Sequence, residues 1–239
     1  MSSGLPEAVQ RNVHRMRRVA RERGGPAVAR DCAAWGAERA FGRWRRPARF
    51  EFGGREYLTL HHPYRFTWLN ERAVEVPVFR RLIEGDASGS VLEIGNVLSH
   101  YMPCRHDVVD KYEPADGVVN ADVLDFDPGR SYRLIISIST LEHVGFDERP
   151  RDPEKPLRAV ERLRSMLEPG GRLVFSLPVG YNPDLDRRLS NGELPLAHCG
   201  ALRRERGRWR EVTCDEAWDA PYDELLYRAS GVVISTVEP

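Results

Sequence analysis

The fold is decided at residues 91–95, where the sequence reads Val91-Leu92-Glu93-Ile94-Gly95. A short apolar run that ends in glycine is typical of a buried strand followed by a tight turn. From there to residue 179, strand-like runs such as Val108-Val109-Asp110 and residues 134–138 alternate with loop and helix-like segments. This alternation predicts an α/β protein with a doubly wound, mostly parallel sheet and crossover helices.

The crossover helix with the clearest pattern is predicted over residues 156–167, because Leu157, Val160 and Leu163 recur on one face before Pro169-Gly170-Gly171 ends it. Farther along the chain, residues 208–214 and 231–237 predict two more strands. The segment 222–229 between them is predicted to be helical.

The first 69 residues are predicted to form an extension ahead of a core domain over residues 70–239. An amphipathic helix is expected around Val9, Val13, Met16 and Ala20, interrupted at Gly24-Gly25-Pro26, and a hairpin is expected around Gly53-Gly54. Residues 1–49 carry twelve arginines against four acids. This arginine-rich surface is either a solvated face packed on the core or a lid over a substrate cleft. Asn70 is the expected N-cap of the helix that follows, with Val74, Phe79 and Leu82 buried.

Composition excludes several classes of function. The 239 residues are 41% apolar, which suits a single α/β domain, and 36 basic residues balance 36 acidic ones. The chain therefore has no overall field that would attract nucleic acid or an acidic membrane. No apolar run approaches the roughly 18–20 residues of a membrane span. The four cysteines, Cys32, Cys104, Cys199 and Cys214, show no disulfide-dense or metal-binding spacing, so we expect reduced thiols and a cytoplasmic protein.

In an open α/β sheet, ligands bind beyond the carboxyl ends of the strands, near the point where the strand order reverses. Residues directly after each predicted strand are therefore the candidates for a site. Gly95 permits close approach of a ligand to the backbone. The Asp110 carboxylate either accepts hydrogen bonds from the two hydroxyls of a diol or caps a turn, and Asp122 is either a ligand contact or a simple loop acid.

Taken in order, these segments resemble the class I S-adenosylmethionine (SAM)-dependent methyltransferases. The motifs that carry the resemblance are Glu93 with Gly95, Asp110, Asn120-Ala121-Asp122-Val123, Thr140-Leu141-Glu142-His143-Val144 and Glu168-Pro169-Gly170-Gly171. Ser139–Gly145 as a block, Gly95–Tyr101 as a block and Pro178-Val179-Gly180-Tyr181-Asn182-Pro183 look like small standalone bacterial O-methyltransferases acting on saccharides or secondary metabolites. The resemblance implies a Rossmann-like methyltransferase fold whose sheet ends in an antiparallel strand pair.

The resemblance also implies a set of SAM-binding residues. Glu93 would lie near the amino-acid end of the cofactor, Gly95 and Asn96 would form the nucleotide loop, and Asp110 would bind the ribose. Lys111 would cover the adenine, Asp122 and the Val123 N–H would contact its edge, and Ser137 and Ile138 would meet the methionine part. The loop Asn96-Val97-Leu98-Ser99 lacks the second and third glycines of the family pattern.

His143 is the candidate catalytic residue, because methyl transfer to a hydroxyl requires a base and histidine titrates near neutral pH. The alternative is a histidine that packs beneath the cofactor. Candidate substrate contacts flank the core and are His62, Tyr64, Arg72, Tyr181 and Asn182. No carboxylate follows the strand at residues 134–138, so no metal is predicted.

The sequence thus predicts an O-methyltransferase acting on a hydroxyl of a small glycan or glycoside. The alternatives are a methyltransferase of a polyketide, peptide or amine secondary metabolite, and a binding module that keeps the fold without catalysis. A nicotinamide dehydrogenase is set aside because its Gly-x-Gly-x-x-Gly loop is missing. The expected partner is a small-molecule or oligosaccharide acceptor, with no nucleic acid and no membrane, and the question of a homo-oligomer stays open.

Overall fold

The computed structural model describes Arg21 and residues 24–86 and 89–239. The helix predicted around Val9, Val13 and Met16 lies outside the described residues. The helices are α1 (Gly25–Phe41), α2 (Arg72–Glu84), α3 (Lys155–Ser165), α4 (Pro183–Ser190) and α5 (Cys214–Ala217), with 3₁₀ turns at Gly42–Trp44, Tyr64–Leu69 and Leu98–His100. The strands are β1 (Arg49–Phe52), β2 (Arg55–Leu58), β3 (Val91–Ile94), β4 (Asp107–Val109), β5 (Val118–Val119), β6 (Tyr132–Ile138), β7 (Leu167–Pro178), β8 (His198–Glu205), β9 (Arg208–Val212), β10 (Tyr222–Asp223), β11 (Arg228–Ala229) and β12 (Gly231–Val237).

Within the described residues, eight strands form the central sheet in the order β5-β4-β3-β6-β7-β12-β8-β9. Strands β5, β4, β3, β6 and β7 are parallel, whereas β12, β8 and β9 pair antiparallel. The chain moves outward from β3 through β4 to β5 and then crosses back to β6. The order therefore reverses between β3 and β6, and the predicted doubly wound α/β fold is confirmed.

Strand β6 explains why the core is apolar on both faces of the sheet. Its side chains alternate, so that Leu134, Ile136 and Ile138 pack into the cluster that contains α2, while Ile135 packs into the cluster that contains α3. A parallel strand covered on both sides reads as a continuous apolar run, which is the pattern seen in residues 134–138. The site of interest therefore lies at the end of a rigid, fully buried strand.

The predicted hairpin at Gly53-Gly54 is present as β1 and β2. Phe50 and Phe52 of β1 are buried in the same cluster as Trp209 of β9, and the Gly53 N–H donates to Glu211 Oε1 at 2.8 Å. The hairpin is thus continuous with the core on the side of α2. The division of the chain at residue 69 remains a prediction.

Two expectations about the C-terminal half and the cysteines are wrong. Residues 222–229 do not form a helix; they form β10 and β11 around a turn in which Asp223 Oδ1 accepts from the Leu225 and Leu226 N–H groups. The two predicted strands are present as β9 and β12, and between them in the sheet lies β8, which its polar sequence obscured. Cys199 and Cys214 form a disulfide with a Cα–Cα distance of 6.3 Å, since the β8–β9 hairpin brings together residues 15 positions apart.

The start of α2 also differs from the prediction. The helix begins at Arg72, and its N-cap position is Glu71, one residue after the predicted Asn70. The Asn70 side chain still contributes, because its Oδ1 accepts from the Arg72 N–H at 3.1 Å. Val74 and Phe79 are buried as expected, and Leu82 is partly buried. Among the described helices, none is long and apolar enough to cross a bilayer.

We expect Phe79→Ala to lower the free energy of unfolding by about 3–5 kcal/mol, because it removes a fully buried aromatic ring that holds α2 on the sheet. Urea unfolding followed by circular dichroism measures the loss. Arg80→Ala on the same helix is the control. It removes only an exposed ion pair with Glu84 and should change stability by about 1 kcal/mol or less. Equal losses for the two variants would contradict the packing described for α2.

Candidate functional site

A cleft of about 730 Å³ opens at the carboxyl edge of the sheet, where the strand order reverses. Gly95 and Asn96 follow β3, Asp110 follows β4, and His143 lies after β6 in its wall. Arg72, Tyr64 and Tyr181 also line this cleft. Seven of the residues singled out in the sequence are thereby brought together in one place.

Gly95 forms the floor of the cleft where the backbone turns away from β3. Its φ is +86°, a conformation that favours glycine, and a Cβ at this position would lie 2.2 Å from Thr140 Oγ1. The Gly95 N–H donates to the Val109 carbonyl at 2.8 Å and ties the turn to β4. Any side chain here would have to displace Thr140, which is itself part of the cleft wall.

Asp110 organises the loops that surround it. Its Oδ2 accepts from the Asn96 N–H at 2.9 Å, and its Oδ1 accepts from the Tyr112 and Glu113 N–H groups at 2.8 and 2.7 Å. A carboxylate offers about four acceptor positions. Three are therefore used to shape the loops, and one position on Oδ2 remains for a ligand hydroxyl.

Glu93 holds the loop after β3 from below and does not line the cleft. Its Oε1 accepts from the Val97 and Leu98 N–H groups at 3.0 and 2.9 Å, and its Oε2 lies 2.7 Å from His106 Nε2. These hydrogen bonds fix the path of the loop, which lacks the second and third glycines of the family pattern.

Glu93, Cys104 and His106 place their ligand-type atoms within 4.8 Å of one another. Burial alone would lower the pKa of His106, but its contacts with Cys104 and Glu93 raise the pKa to about 9. The imidazole therefore carries a proton at neutral pH, and that proton competes with a metal ion for the ring nitrogen. We interpret this group as a charged clamp on the loop.

Asp122 and Lys111 belong to a four-charge cluster beside the cleft. Asp122 Oδ2 accepts from Lys111 Nζ at 2.8 Å and from Lys155 Nζ at 2.6 Å, and Glu148 lies within 3.1 Å of both ammonium groups. Burial would raise the pKa of Asp122, yet the two lysines lower it to about 2. Neither Asp122 nor Lys111 lines the cleft in this structure, so their predicted adenine contacts remain predictions.

Five more candidates lie outside the cleft. Ser137 and Ile138 are fully buried because β6 continues through Ile138, so Ser139 and Thr140 occupy the strand exit. Val123 packs in the core cluster that contains α3. Asn182 caps α4 through the Leu185 N–H, and His62 Nδ1 accepts from the Tyr64 N–H in a turn. These contacts give Asn182 and His62 structural roles.

A buried hydrogen-bond network, which the sequence did not reveal, holds the Arg72 side chain in the wall of the cleft. Glu75, fully buried on α2, accepts from Arg72 Nη1 at 2.7 Å, from Ser139 Oγ at 2.5 Å and from Ser176 Oγ at 2.7 Å. Ser139 has a φ of +38°, which is strained for a residue with a side chain. The network holds this strained exit of β6 in place and fixes the guanidinium of Arg72 beside it.

His143 belongs to a hydrogen-bonded chain at the wall of the cleft. Its Nδ1 lies 2.6 Å from Asp147 Oδ2, which also accepts from the Tyr181 hydroxyl at 2.8 Å. A carboxylate on one ring nitrogen fixes the tautomer and leaves the other nitrogen, Nε2, as the acceptor. Burial lowers the pKa of His143, but Asp147 and Glu142 together raise it above its ordinary value.

Glu142 is the main residue of the cleft that the sequence analysis passed over. It is only 2% exposed, and no described residue donates a hydrogen bond to either of its carboxylate oxygens. Burial raises its pKa to about 8. The sequence signal for Glu142 is its position next to His143, within Thr140-Leu141-Glu142-His143-Val144.

Comparison with known proteins gives similarities of structure only. No protein-family model matches the chain, and no curated protein matches it either. Among solved structures, N-methyltransferase NodS from Bradyrhizobium japonicum WM9, in complex with S-adenosyl-L-homocysteine (SAH), shares 18% identity over 70% of this chain and 85% of that chain, with a TM-score of 0.43. The glycopeptide N-methyltransferase MtfA complexed with SAM shares 13% identity over 71% and 96%, with a TM-score of 0.37. The CcbJ methyltransferase from Streptomyces caelestis shares 13% over 66% and 91%, with a TM-score of 0.38. At this level of similarity, function must be argued from the cleft itself.

The charged clamp at His106 gives a pH test. Its folded-state pKa of about 9 lies above the ordinary value of 6.5, so its stabilisation is fully present below pH 6.5 and is lost as the pH rises through about 9. We expect the stability advantage of wild type over His106→Gln to shrink by roughly 1–3 kcal/mol across this window. Urea unfolding at several pH values measures it. His198→Gln, at an exposed position of β8, is the control, and a pH-independent difference at His106 would contradict the clamp.

Proposed function

We propose that this protein is a SAM-dependent O-methyltransferase that transfers a methyl group to a hydroxyl of a small glycan or glycoside. The observation that carries the proposal is the His143–Asp147 pair, held at 2.6 Å, which opens onto the same cleft as Gly95 and Asp110. A carboxylate with one free acceptor position, a glycine at a tight turn and an oriented base lie along one edge of the sheet. This is the order that the resemblance to class I methyltransferases implies.

The residues of the cleft fit SAM. The free acceptor position on Asp110 Oδ2 suits a ribose hydroxyl, and the missing side chain at Gly95 makes room for Thr140, so that the turn after β3 and Thr140 form the cleft wall together.

When bound, SAM supplies a methyl group made electrophilic by its sulfonium. His143 Nε2 accepts the proton of the acceptor hydroxyl as the oxygen attacks the methyl carbon, so an O–C bond forms while the S–C bond breaks. Asp147 keeps the Nδ1 proton in place and stabilises the imidazolium that results. Tyr181 holds Asp147 from the other side. The described part of the N-terminal extension, residues 24–69, is proposed to cover the acceptor end, since Trp35 of α1 and Phe66 line the cleft.

The alternative acceptors, a polyketide, peptide or amine, use the same cofactor residues and differ at the acceptor end. The non-catalytic alternative was motivated by the depleted glycine loop. The Glu93 bonds to the Val97 and Leu98 N–H groups argue against it, because they fix the loop without those glycines.

The cofactor proposal is tested by calorimetric titration with SAH. We expect Gly95→Ala to weaken SAH binding at least about tenfold, because the new methyl group displaces Thr140 into the cleft. Gly54→Ala is the matched control: its φ is also positive, at +68°, but no atom lies within 4 Å of the added carbon. This variant also places a side chain on a residue with positive φ, and it should bind SAH as wild type does. If wild type fails to bind SAH, the proposed function is wrong.

The base is tested by the pH dependence of turnover with labelled SAM. Because the base must be unprotonated and the pKa of His143 is raised, the rate should increase with pH, with a midpoint above about 6.5. His143→Ala should lose on the order of 10²–10⁴ in rate. Asp147→Asn should lower the rate and move the midpoint to lower pH, whereas Asp184→Asn on the exposed face of α4 should change neither. Wild-type turnover by His143→Ala would leave the histidine with a packing role.

A further inference from the structure

The Glu142 carboxylate is an unused binding group inside the cleft. It lines the cleft, is 2% exposed, and neither oxygen has a hydrogen-bond partner among the described residues. Leaving a buried carboxyl group without a partner costs free energy that native proteins rarely accept without a function. The group is therefore shaped for a partner that arrives from solution, and that partner must donate hydrogen bonds.

The cationic side chains close to Glu142 donate no hydrogen bond to it. Arg72 donates to Glu75 Oε2 at 2.7 Å and to the Ser139 carbonyl at 3.4 Å. His143 Nε2 lies 3.6 Å from Glu142 Oε1, which is within ion-pair distance when the histidine is protonated but beyond hydrogen-bond distance. Asn182 Nδ2 donates to the main-chain oxygen of Glu142 at 3.0 Å and so does not satisfy the carboxylate. Glu142 is one of the residues that line the cleft, so a ligand would reach its carboxylate from there.

Aromatic rings line the same cleft as this carboxylate. Tyr181 packs edge-on against His143 with ring centroids 4.6 Å apart, and it contacts Tyr222 and Tyr227 at 5.4 and 5.8 Å. All three tyrosines line the cleft, as does Tyr101. A carboxylate in a cleft that is also lined by aromatic rings suits an ammonium group, which can donate to the carboxylate and lie against a ring face.

We propose that Glu142 binds a protonated amine of the acceptor, on the carbon next to the hydroxyl that His143 deprotonates, so that the acceptor is an amino sugar. The inference rests on the proposed function. The 3.6 Å between Glu142 Oε1 and His143 Nε2 matches two recognition groups that serve neighbouring substituents of one sugar ring. In the reaction the ammonium keeps its charge and acts as an anchor, and the neighbouring oxygen is methylated.

The position of Glu142 beyond the end of β6 favours an ammonium group of the acceptor as its ligand, rather than the ammonium group of SAM. Asp110 follows β4, Gly95 follows β3, and Glu142 lies after β6 with Tyr181 beyond β7. Neighbouring strands are about 4.8 Å apart, so the end of β6 is roughly 10 Å along the edge from the end of β4. Asp110 is proposed to hold the ribose at the β4–β3 part of the edge, and Ser137 and Ile138, the β6 residues expected to meet the methionine part, are buried outside the cleft. The β6–β7 part is therefore proposed for the acceptor.

Protonation provides an independent signature. Without a ligand, the raised pKa of Glu142 keeps the group largely protonated at neutral pH. The titratable and charged groups facing it are His143 from its own segment and Arg72 and Glu75 from α2. An ammonium ligand stabilises the ionised carboxylate, so binding releases a proton near neutral pH. Calorimetry in two buffers of different ionisation enthalpy detects that release.

The experiment uses the full chain saturated with SAH and two probes, methyl 2-amino-2-deoxyglucoside and its N-acetyl derivative. Acetylation removes the positive charge and keeps the neighbouring hydroxyl. We expect wild type to bind the amine roughly 10- to 100-fold more tightly, the range for one charge-assisted hydrogen bond, with proton release. Glu142→Gln should abolish both the preference and the proton release while binding SAH as wild type does, which also shows that the variant is folded.

Glu113→Gln is the matched control, because it neutralises another carboxylate of the same cleft that already contacts Asn96 and His100. It should keep the amine preference. Equal affinity of wild type for the two sugars, no binding of either sugar, or a preference that survives in Glu142→Gln would each overturn the proposal. Loss of SAH binding in Glu142→Gln would assign the carboxylate to the cofactor and overturn it as well. Failure of wild type to bind SAH would instead refute the proposed function itself.

Discussion

The buried carboxylate of Glu75 is the constraint on which the cleft depends. It joins α2 to the ends of β6 and β7 through Ser139, Ser176 and Arg72, and it lies within the apolar layer between helix and sheet. A buried charge is tolerated only when its acceptor positions are filled, and here hydroxyls and a guanidinium fill them. Because the partners come from three elements, the helix cannot shift on the sheet without exposing the charge to an apolar environment. The unusual backbone of Ser139, and with it the direction taken by the segment that carries Glu142 and His143, follows from this anchor.

The cleft has two halves with different electrostatics. On the β3–β4 side, main-chain N–H groups fill most of the acceptor positions of the Glu93 and Asp110 carboxylates. These carboxylates therefore mainly hold the loops in place. On the β6–β7 side, Glu142 is bare and His143 is oriented by Asp147. The first half is therefore built to hold its shape, and the second half keeps its polar groups available for chemistry with a ligand. Lys111 and Lys155 brace the boundary between the loops by sharing Asp122 and Glu148.

The sequence predicted the parallel part of the sheet well, because buried strands such as residues 134–138 and the crossover helix of Pro156 and Leu163 carry strong periodic signals. It failed for β8 and for residues 222–229, where polar residues and a turn made by Asp223 obscure short strands that are stabilised by their neighbours. The cleft residues Gly95, Asp110 and His143 could be found because they follow strands. The ion pairs of Glu93 with His106 and of Asp122 with Lys155 could not be found, since their partners lie 13 and 33 positions away in the sequence. The same holds for Glu142, whose lack of a partner is a property of the folded chain alone.

The chain has 34 arginines and only two lysines, and both lysines lie in the cluster with Asp122 and Glu148. Primary amines on side chains are therefore confined to this cluster. A reagent that acylates amines would find Lys155 shielded, with 11% of its side chain exposed, and Lys111 more accessible at 35%. Among the side chains, a label introduced by amine chemistry would attach mainly to Lys111 and so would report on the loop after β4.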